Sequence, residues 1–237
     1  MDDAGKLYDE LVDLTKMQRQ QLDSVQAEVQ AKARRDPDLW TAQRCVAEIR
    51  GTDPDSDVAR QRAAMKLAVE AIERDADEPV TLAQSNLDEV RNSLVRTKGD
   101  FSQEQINTRT RDRVLRRLQT AKDHGSRANI ARIALEQAAD RAELGVLLQE
   151  LPSELQSLGL DEDTVRRVID PVVRQRVPEL AAAQDMLAEK QFEATVTHAT
   201  AGVVRRGLDS GVPADKGVLG MLDPAKIRAR RDVGKIQ

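Results

Sequence analysis

Residues able to carry out chemistry are few and scattered in this sequence. The two histidines, His124 and His198, are far apart, and neither follows a glutamate at the three-residue spacing of a helical di-iron site. Cys45 is the single cysteine, so no disulfide can form within the chain. The sequence has no glycine-rich phosphate loop, no His-Glu-x-x-His and no Gly-x-Ser-x-Gly motif. We therefore predict no catalytic residue, no metal ligand and no cofactor.

Carboxylates are abundant, because the chain contains 41 Asp and Glu residues. Pairs such as Glu189 and Glu193, one helical turn apart, are therefore expected by chance, and we interpret this pair as part of a solvated helix face. An enzyme site assembled from scattered carboxylates and arginines has no motif in its favour.

The strongest basic feature of the sequence is the segment 109–117. Four of its arginines share part of one helical face: Arg109, Arg113, Arg116 and Arg117. Guanidinium groups pair with carboxylates or phosphates through two parallel hydrogen bonds. We favour salt bridges to the chain's own acidic stretches, 53–57 and 73–78, because no aromatic residues interleave to stack bases. The alternative is contact with a nucleic acid or an acidic protein.

The C-terminal region, 202–237, holds six of the twelve glycines and changes character along its length. We predict an irregular linker over 207–223 and a short basic helix over 224–232. The linker ends in an apolar patch of Val218, Leu219, Met221 and Leu222. The helix carries a second possible contact for an anionic partner: Lys226, Arg228, Arg230 and Arg231. We favour a tail that docks on a neighbouring subunit over a disordered end.

Long helices with a 3–4 apolar spacing must position these residues. The first is predicted over residues 4–35, and Asp-Pro pairs at 36–37, 53–54, 170–171 and 223–224 are predicted to start others. Pro79 is expected to open a helix and Pro152 to end one. The helix after Pro79 carries the clearest coiled-coil seam, which we predict to be an assembly seam: Val80, Leu87, Val90 and Leu94.

The helix that carries the 109–117 arginines has a strong start signal. Ser102 and Gln105 match a capping box, and Phe101 and Ile106 can form the hydrophobic staple that accompanies it. Asp161 with Thr164 is a further predicted helix start, and Gly51 a helix end.

Composition supports an all-α fold. Hydrophobic residues make up 40% and charged residues 33%, but aromatic residues only 2%, so the core must be built from Leu, Val, Ile and Ala. We predict seven to nine helices in an elongated multi-helix bundle with an irregular, glycine-rich, basic C-terminal tail. The predicted regions are 1–98, with the long first helix, 99–201, a second helical region, and 202–237, the linker and docking tail.

Charge and composition favour a role in an assembly. The net charge of −4 comes from alternating acidic and basic blocks, which suit surfaces complementary to a partner or to a second copy. The sequence contains no run of about 18 apolar residues, so we predict no membrane-spanning helix. We hypothesise a non-enzymatic structural subunit of a homo-oligomer or larger assembly, cytoplasmic or inside a particle assembled there. The few aromatics and long capped helices are also common in phage virion proteins. The alternative is a nucleic-acid-binding or regulatory adaptor.

Overall fold

The structure, a computed structural model, describes residues 3–54, 56–95 and 101–234. These residues form helices and no strands, which confirms the predicted all-α, multi-helix fold. The helices are α1 (Asp3–Arg35), α2 (Ala42–Arg50), α3 (Asp57–Val95), α4 (Phe101–Thr120), α5 (His124–Gln137), α6 (Arg141–Ser157), α7 (Glu162–Arg176), α8 (Pro178–Ser210), α9 (Lys216–Met221) and α10 (Pro224–Gly234).

Three prolines lie inside helices, so the predictions that Pro79 and Pro171 start helices and that Pro152 ends one are wrong. A proline removes one backbone hydrogen bond, which a well-buried face can outweigh. Buried apolar residues continue on both sides of each proline: Ala76 and Ala83, Leu151 and Leu155, Ile169 and Val172.

Helix starts follow side-chain caps more closely than Asp-Pro pairs. Asp223-Pro224 does begin α10, and Asp161 caps α7 by accepting a hydrogen bond from the backbone N–H of Thr164, as predicted. At 36–37 the prediction is wrong, because Thr41 caps α2 and the Asp-Pro pair lies before it. Gly51 ends α2 in the left-handed region, at φ 58°, where glycine carries no steric cost.

The chain divides into two compact units along lines that differ from the predicted regions 1–98, 99–201 and 202–237. Unit 1 comprises Met1–Val80 and Glu189–Gln237, and unit 2 comprises Thr81–Ala188. Unit 1 therefore unites both ends of the chain. A sequence predicts regions that are continuous along the chain, because local patterns do not show that its first and last segments pack in one unit.

Unit 1 has a core drawn from α1, α3, α8 and the C-terminal segment. Its buried members are Leu11, Met65, Val69, Ile72, Ala201, Val204, Leu208, Ala214 and Leu219. No aromatic side chain is among the buried apolar residues that the structure describes, in agreement with the aliphatic core that composition predicts.

Unit 2 is built around α5, which packs against α4, α6 and α7, while α4 also packs against α6. Among the described side chains of α4, Val114 and Leu118 are buried, and Leu147, Leu151 and Leu155 are fully buried on α6. This packing fixes which face of α4 points toward solvent.

The predicted irregular linker 207–223 is wrong in two places. Helix α8 continues to Ser210, and α9 occupies Lys216–Met221. Asp215 caps α9, because its carboxylate accepts hydrogen bonds from the backbone N–H groups of Gly217 and Val218. The basic helix predicted over 224–232 is present as α10.

Candidate interaction surfaces

The outward face of α4 carries the arginines that the sequence singled out. Val114 and Leu118 anchor the helix in unit 2, and their positions leave the opposite side of the helix in solvent. We call the four exposed arginines of that side the arginine row: Arg109, Arg113, Arg116 and Arg117. Their spacing of i, i+4, i+7 and i+8 places all four on one helical face, as predicted from the sequence. The side chains of the predicted cap, Phe101, Ser102 and Ile106, lie outside the described part of the structure.

The arginine row makes no ion pair with the described residues of unit 2, to which α4 belongs. The acidic stretches that we favoured as partners, 53–57 and 73–78, belong to unit 1, so salt bridges to them stay a prediction. Arg111 differs from the row: it is half-buried, and its guanidinium lies 3.9 Å from the Glu150 carboxylate of α6. Asp112 is the single carboxylate within the segment. Within unit 2, the row is thus a positive surface on a helix that packs against α5 and α6.

The C-terminal tail docks on its own chain, within unit 1. Leu219 and Ala214 are buried in the core of this unit. The Tyr8 hydroxyl donates a hydrogen bond to the Leu219 carbonyl at 2.9 Å, and Arg19 donates one to the Ala214 carbonyl at 2.5 Å. Burial, followed by the nearby Asp223 and Asp9 carboxylates, raises the pKa of the Tyr8 phenol.

The four predicted tail-docking residues are consequently divided. Leu219 is only 3% exposed and is already covered, whereas Met221 is 64% and Val218 44% exposed. Leu222 is half-buried. The apolar patch is therefore shared between the core of unit 1 and its surface.

The basic residues of α10 are largely engaged with α8. Arg228 pairs with both Glu189, at 3.0 Å, and Glu193. Arg231 pairs with Glu189 at 2.9 Å and lies over the Phe192 ring, 4.4 Å from its centroid. Glu189 and Glu193 are thus not simply a solvated face. Sequence reasoning missed them because their partners lie 35 to 42 residues further along the chain.

The remaining basic residues of α10 are more exposed. Lys226 contacts the Gly220 carbonyl at 3.3 Å and the Asp223 carboxylate at 3.6 Å, while Arg230 is exposed. Of the two basic segments predicted from the sequence, the arginine row on α4 therefore leaves far more guanidinium surface available than Lys226–Arg231.

An acidic surface lies on α3, over residues 70–78. Glu70, Asp75 and Glu78 are exposed there. Glu73 pairs with Arg205, and the Asp77 carboxylate lies 2.8 Å from His198 Nε2. The exposed carboxylates of this surface belong to unit 1.

The predicted assembly seam is covered by the chain itself over part of its length. Leu87 and Leu94 are each 3% exposed, and Val80 and Val90 are half-buried. Gly145 of α6 lies so close to Leu94 that a Cβ atom built there would be 2.9 Å from the Leu94 backbone. Two of the four seam residues thus already have partners within the chain, and a role in assembly stays a prediction.

A small cavity in unit 1 is lined by Asp3, Ala4, Leu7, Lys190 and Glu193, among others. Its volume of about 10 Å³ corresponds to roughly one water molecule. Lys190 and Glu193 form an ion pair at 2.8 Å beside it, and that hydrogen bond raises the pKa of Lys190. No group of three or more His, Cys, Asp or Glu side chains is placed to hold a metal ion in the part of the chain described.

Comparisons with known proteins give no relative. No protein-family model, curated protein or solved structure matches this chain. Among the described helices, none combines the length and apolar character that crossing a bilayer requires. The function proposed below therefore rests on the surfaces of α3, α4 and α10.

Proposed function

We propose that this protein is a non-enzymatic helical subunit that joins a larger assembly by binding a negatively charged partner through the arginine row of α4. One observation carries the proposal: four exposed arginines, Arg109, Arg113, Arg116 and Arg117, share a helix face and have no ion pair with the described residues of unit 2. Exposed arginines elsewhere in unit 2, such as Arg132, Arg166 and Arg174, are paired with carboxylates.

The chemistry of the row suits recognition better than stability. Guanidinium groups present donors in a fixed, planar arrangement that fits carboxylate or phosphate oxygens. Because the row is already in solvent, binding a partner there requires little rearrangement of the chain. Complementary charge chiefly raises the rate and specificity of association.

A nucleic-acid-binding adaptor is the second candidate, and the same arginine row would be its main contact. The basic tail is a weaker contact for it, because Arg228 and Arg231 are held by Glu189 and Glu193. The virion hypothesis stays a prediction from composition.

The test is the binding of fluorescent polyglutamate to the full chain, measured by anisotropy at low ionic strength. The variant Arg113→Gln with Arg117→Gln removes two charges from the row. A matched control, Arg132→Gln with Arg166→Gln, removes two exposed arginines of unit 2 that pair with Glu136 and Glu162. We expect the row variant to bind at least about tenfold more weakly than the wild type and the control to bind nearly as well.

Equal binding by all three proteins, or no binding by the wild type, would show that the row is only a solvated face and would overturn the proposal. Raising the ionic strength should weaken wild-type binding, because exposed charges are screened beyond about 10 Å at 0.1 M salt.

A further inference from the structure

Two segments of nine residues mirror each other in charge. Residues 109–117 contain five arginines and one aspartate, a net charge of +4. Residues 70–78 contain five carboxylates and one arginine, a net charge of −4. Both segments lie wholly within helices, α4 and α3, so each extends about 12 Å from its first to its last residue. The two segments therefore match in length and in formal charge, and Glu73 and Asp77 of the acidic one are engaged by Arg205 and His198.

The register of the two segments also matches. Arg109 and Arg117 are eight residues apart, and so are Glu70 and Glu78. All four are exposed, and none has an ion pair with the described residues of its own unit. Laid face to face, the helices can bring Arg109 and Arg117 onto these two glutamates at the same time.

Each segment also holds one residue of opposite sign, Asp112 in the basic one and Arg74 in the acidic one. In this register Arg74 is level with Arg113, so the attraction comes from the outer pairs of Arg109 and Arg117 with Glu70 and Glu78. Asp112 would repel a phosphate backbone.

We propose that the arginine row binds the acidic face of α3, residues 70–78, on a second copy of this chain. The inference rests on the proposed function and names its partner. Because the contact joins two different surfaces, two copies can pair reciprocally in a dimer, or successive copies can form a ring or a filament.

Nucleic acid is disfavoured as the occupant by three features of the chain. The net charge of −4 opposes close approach to a polyanion. Asp112 interrupts the basic segment. No aromatic residue occurs between Phe101 and Phe192 to stack on bases.

The experiment is a charge exchange measured by light scattering on the full chain, over a concentration series at low ionic strength. The row-reversed variant is Arg109→Glu with Arg117→Glu. The face-reversed variant is Glu70→Arg with Glu78→Arg. We expect the wild type to form oligomers and each variant alone to associate at least about tenfold more weakly, because each now opposes like charges. An equimolar mixture of the two variants, or the four substitutions in one chain, should regain association.

Circular dichroism and thermal melting establish that each variant is folded. If a reversed variant is unstable, the neutral pairs Arg109→Gln with Arg117→Gln and Glu70→Gln with Glu78→Gln replace it, and each should still weaken association. The control Arg132→Glu with Arg166→Glu makes the same change in net charge as the row-reversed variant and should leave association intact.

Two results would overturn the inference. One is a wild type that remains monomeric at every concentration; if its arginine row then binds a 20-base-pair DNA duplex with steep salt dependence, the partner is a nucleic acid. The other is a mixture of reversed variants that does not reassociate. Failure here is distinct from failure of the proposed function: a monomer that still binds polyglutamate through the row overturns only the second-copy inference.

Discussion

The aspartate caps of unit 2 show how single side chains fix helix ends. Asp161 accepts hydrogen bonds from the backbone N–H and the hydroxyl of Thr164, at 2.8 Å each. These bonds stabilise the ionised carboxylate and lower the pKa of Asp161 below its ordinary value. The Asp161–Thr164 cap was predictable from the sequence because every group it uses lies within four residues.

A pH prediction follows from this lowered pKa. When a carboxyl has a lower pKa in the folded than in the unfolded state, its contribution to stability is present above the unfolded pKa, about 4, and is lost as the pH falls through the folded pKa. In Asp161→Asn the amide oxygen can still cap α7 but does not titrate. We expect the wild type to exceed this variant in melting temperature at pH 7 and to lose that advantage below about pH 4. Thermal melts followed by circular dichroism between pH 7 and pH 2.5 would show it, and a pH-independent difference would contradict it.

Glycine at position 145 allows a close approach of backbones that no other residue permits. A Cβ added there would lie 2.9 Å from the Leu94 carbonyl oxygen and main-chain carbon. We expect Gly145→Ala to lower the free energy of unfolding by about 1–3 kcal/mol, because the strain outweighs the better helix propensity of alanine.

Gly202→Ala is the matched control in α8, where the nearest atom is the end of the flexible Arg206 side chain at 4.0 Å. It should leave stability unchanged or raise it by up to about 1 kcal/mol. Chemical denaturation of both variants distinguishes the sites, and equal effects would mean that Gly145 is not under packing constraint.

Among the helices themselves, local signals predicted several ends well but interior prolines poorly. Gly51 and Asp161 mark ends that the structure confirms. Pro79 and Pro152 were expected to interrupt helices, yet the buried face continues past them. A proline penalty is local, whereas the burial that outweighs it depends on residues distant in sequence.

The attachment of α10 to α8 is the element-scale contact that local patterns could not reveal. Glu193 is largely buried and pairs with both Arg228 and Lys190. In Glu193→Gln the shape is kept but the charge is lost, and two cations remain beside a neutral group. We expect a decrease of about 1–3 kcal/mol in the free energy of unfolding and faster amide hydrogen exchange across α10.

The control for Glu193→Gln is Glu162→Gln in α7, which removes the charge of a carboxylate that pairs with Arg166 on the surface, at 2.5 Å. An exposed pair of this spacing contributes only about 0.3–0.5 kcal/mol. If Glu193→Gln changes exchange in α10 no more than Glu162→Gln does, the ion pairs do not hold the helix in place.

At the scale of the whole molecule, the sequence indicated an all-helical protein with an aliphatic core, but not how the chain returns on itself. Both ends of the chain contribute to unit 1, where Leu11 from α1 and Leu219 from α9 are buried in one cluster. The glycines and charges of the tail resemble those of a linker, and from them the sequence predicts a segment that docks on a neighbouring subunit. Its place in the core depends on contacts such as that of Tyr8 with Leu219, 211 residues apart.

Two residues of α9 allow a structural role to be separated from a role in contacts between copies. Leu219 is buried in the core of unit 1, whereas Met221, two residues on, is 64% exposed. We expect Leu219→Ala to lower the free energy of unfolding by about 2–4 kcal/mol, because it leaves a cavity, and Met221→Ala to change it by less than about 0.5 kcal/mol. Urea denaturation of both variants, with light scattering on the same samples, tests this. A Met221→Ala variant of unchanged stability that loses association would assign the exposed side of α9 to a contact between copies. Equal stability of the Leu219→Ala variant and the wild type would instead mean that the tail leaves unit 1 in solution.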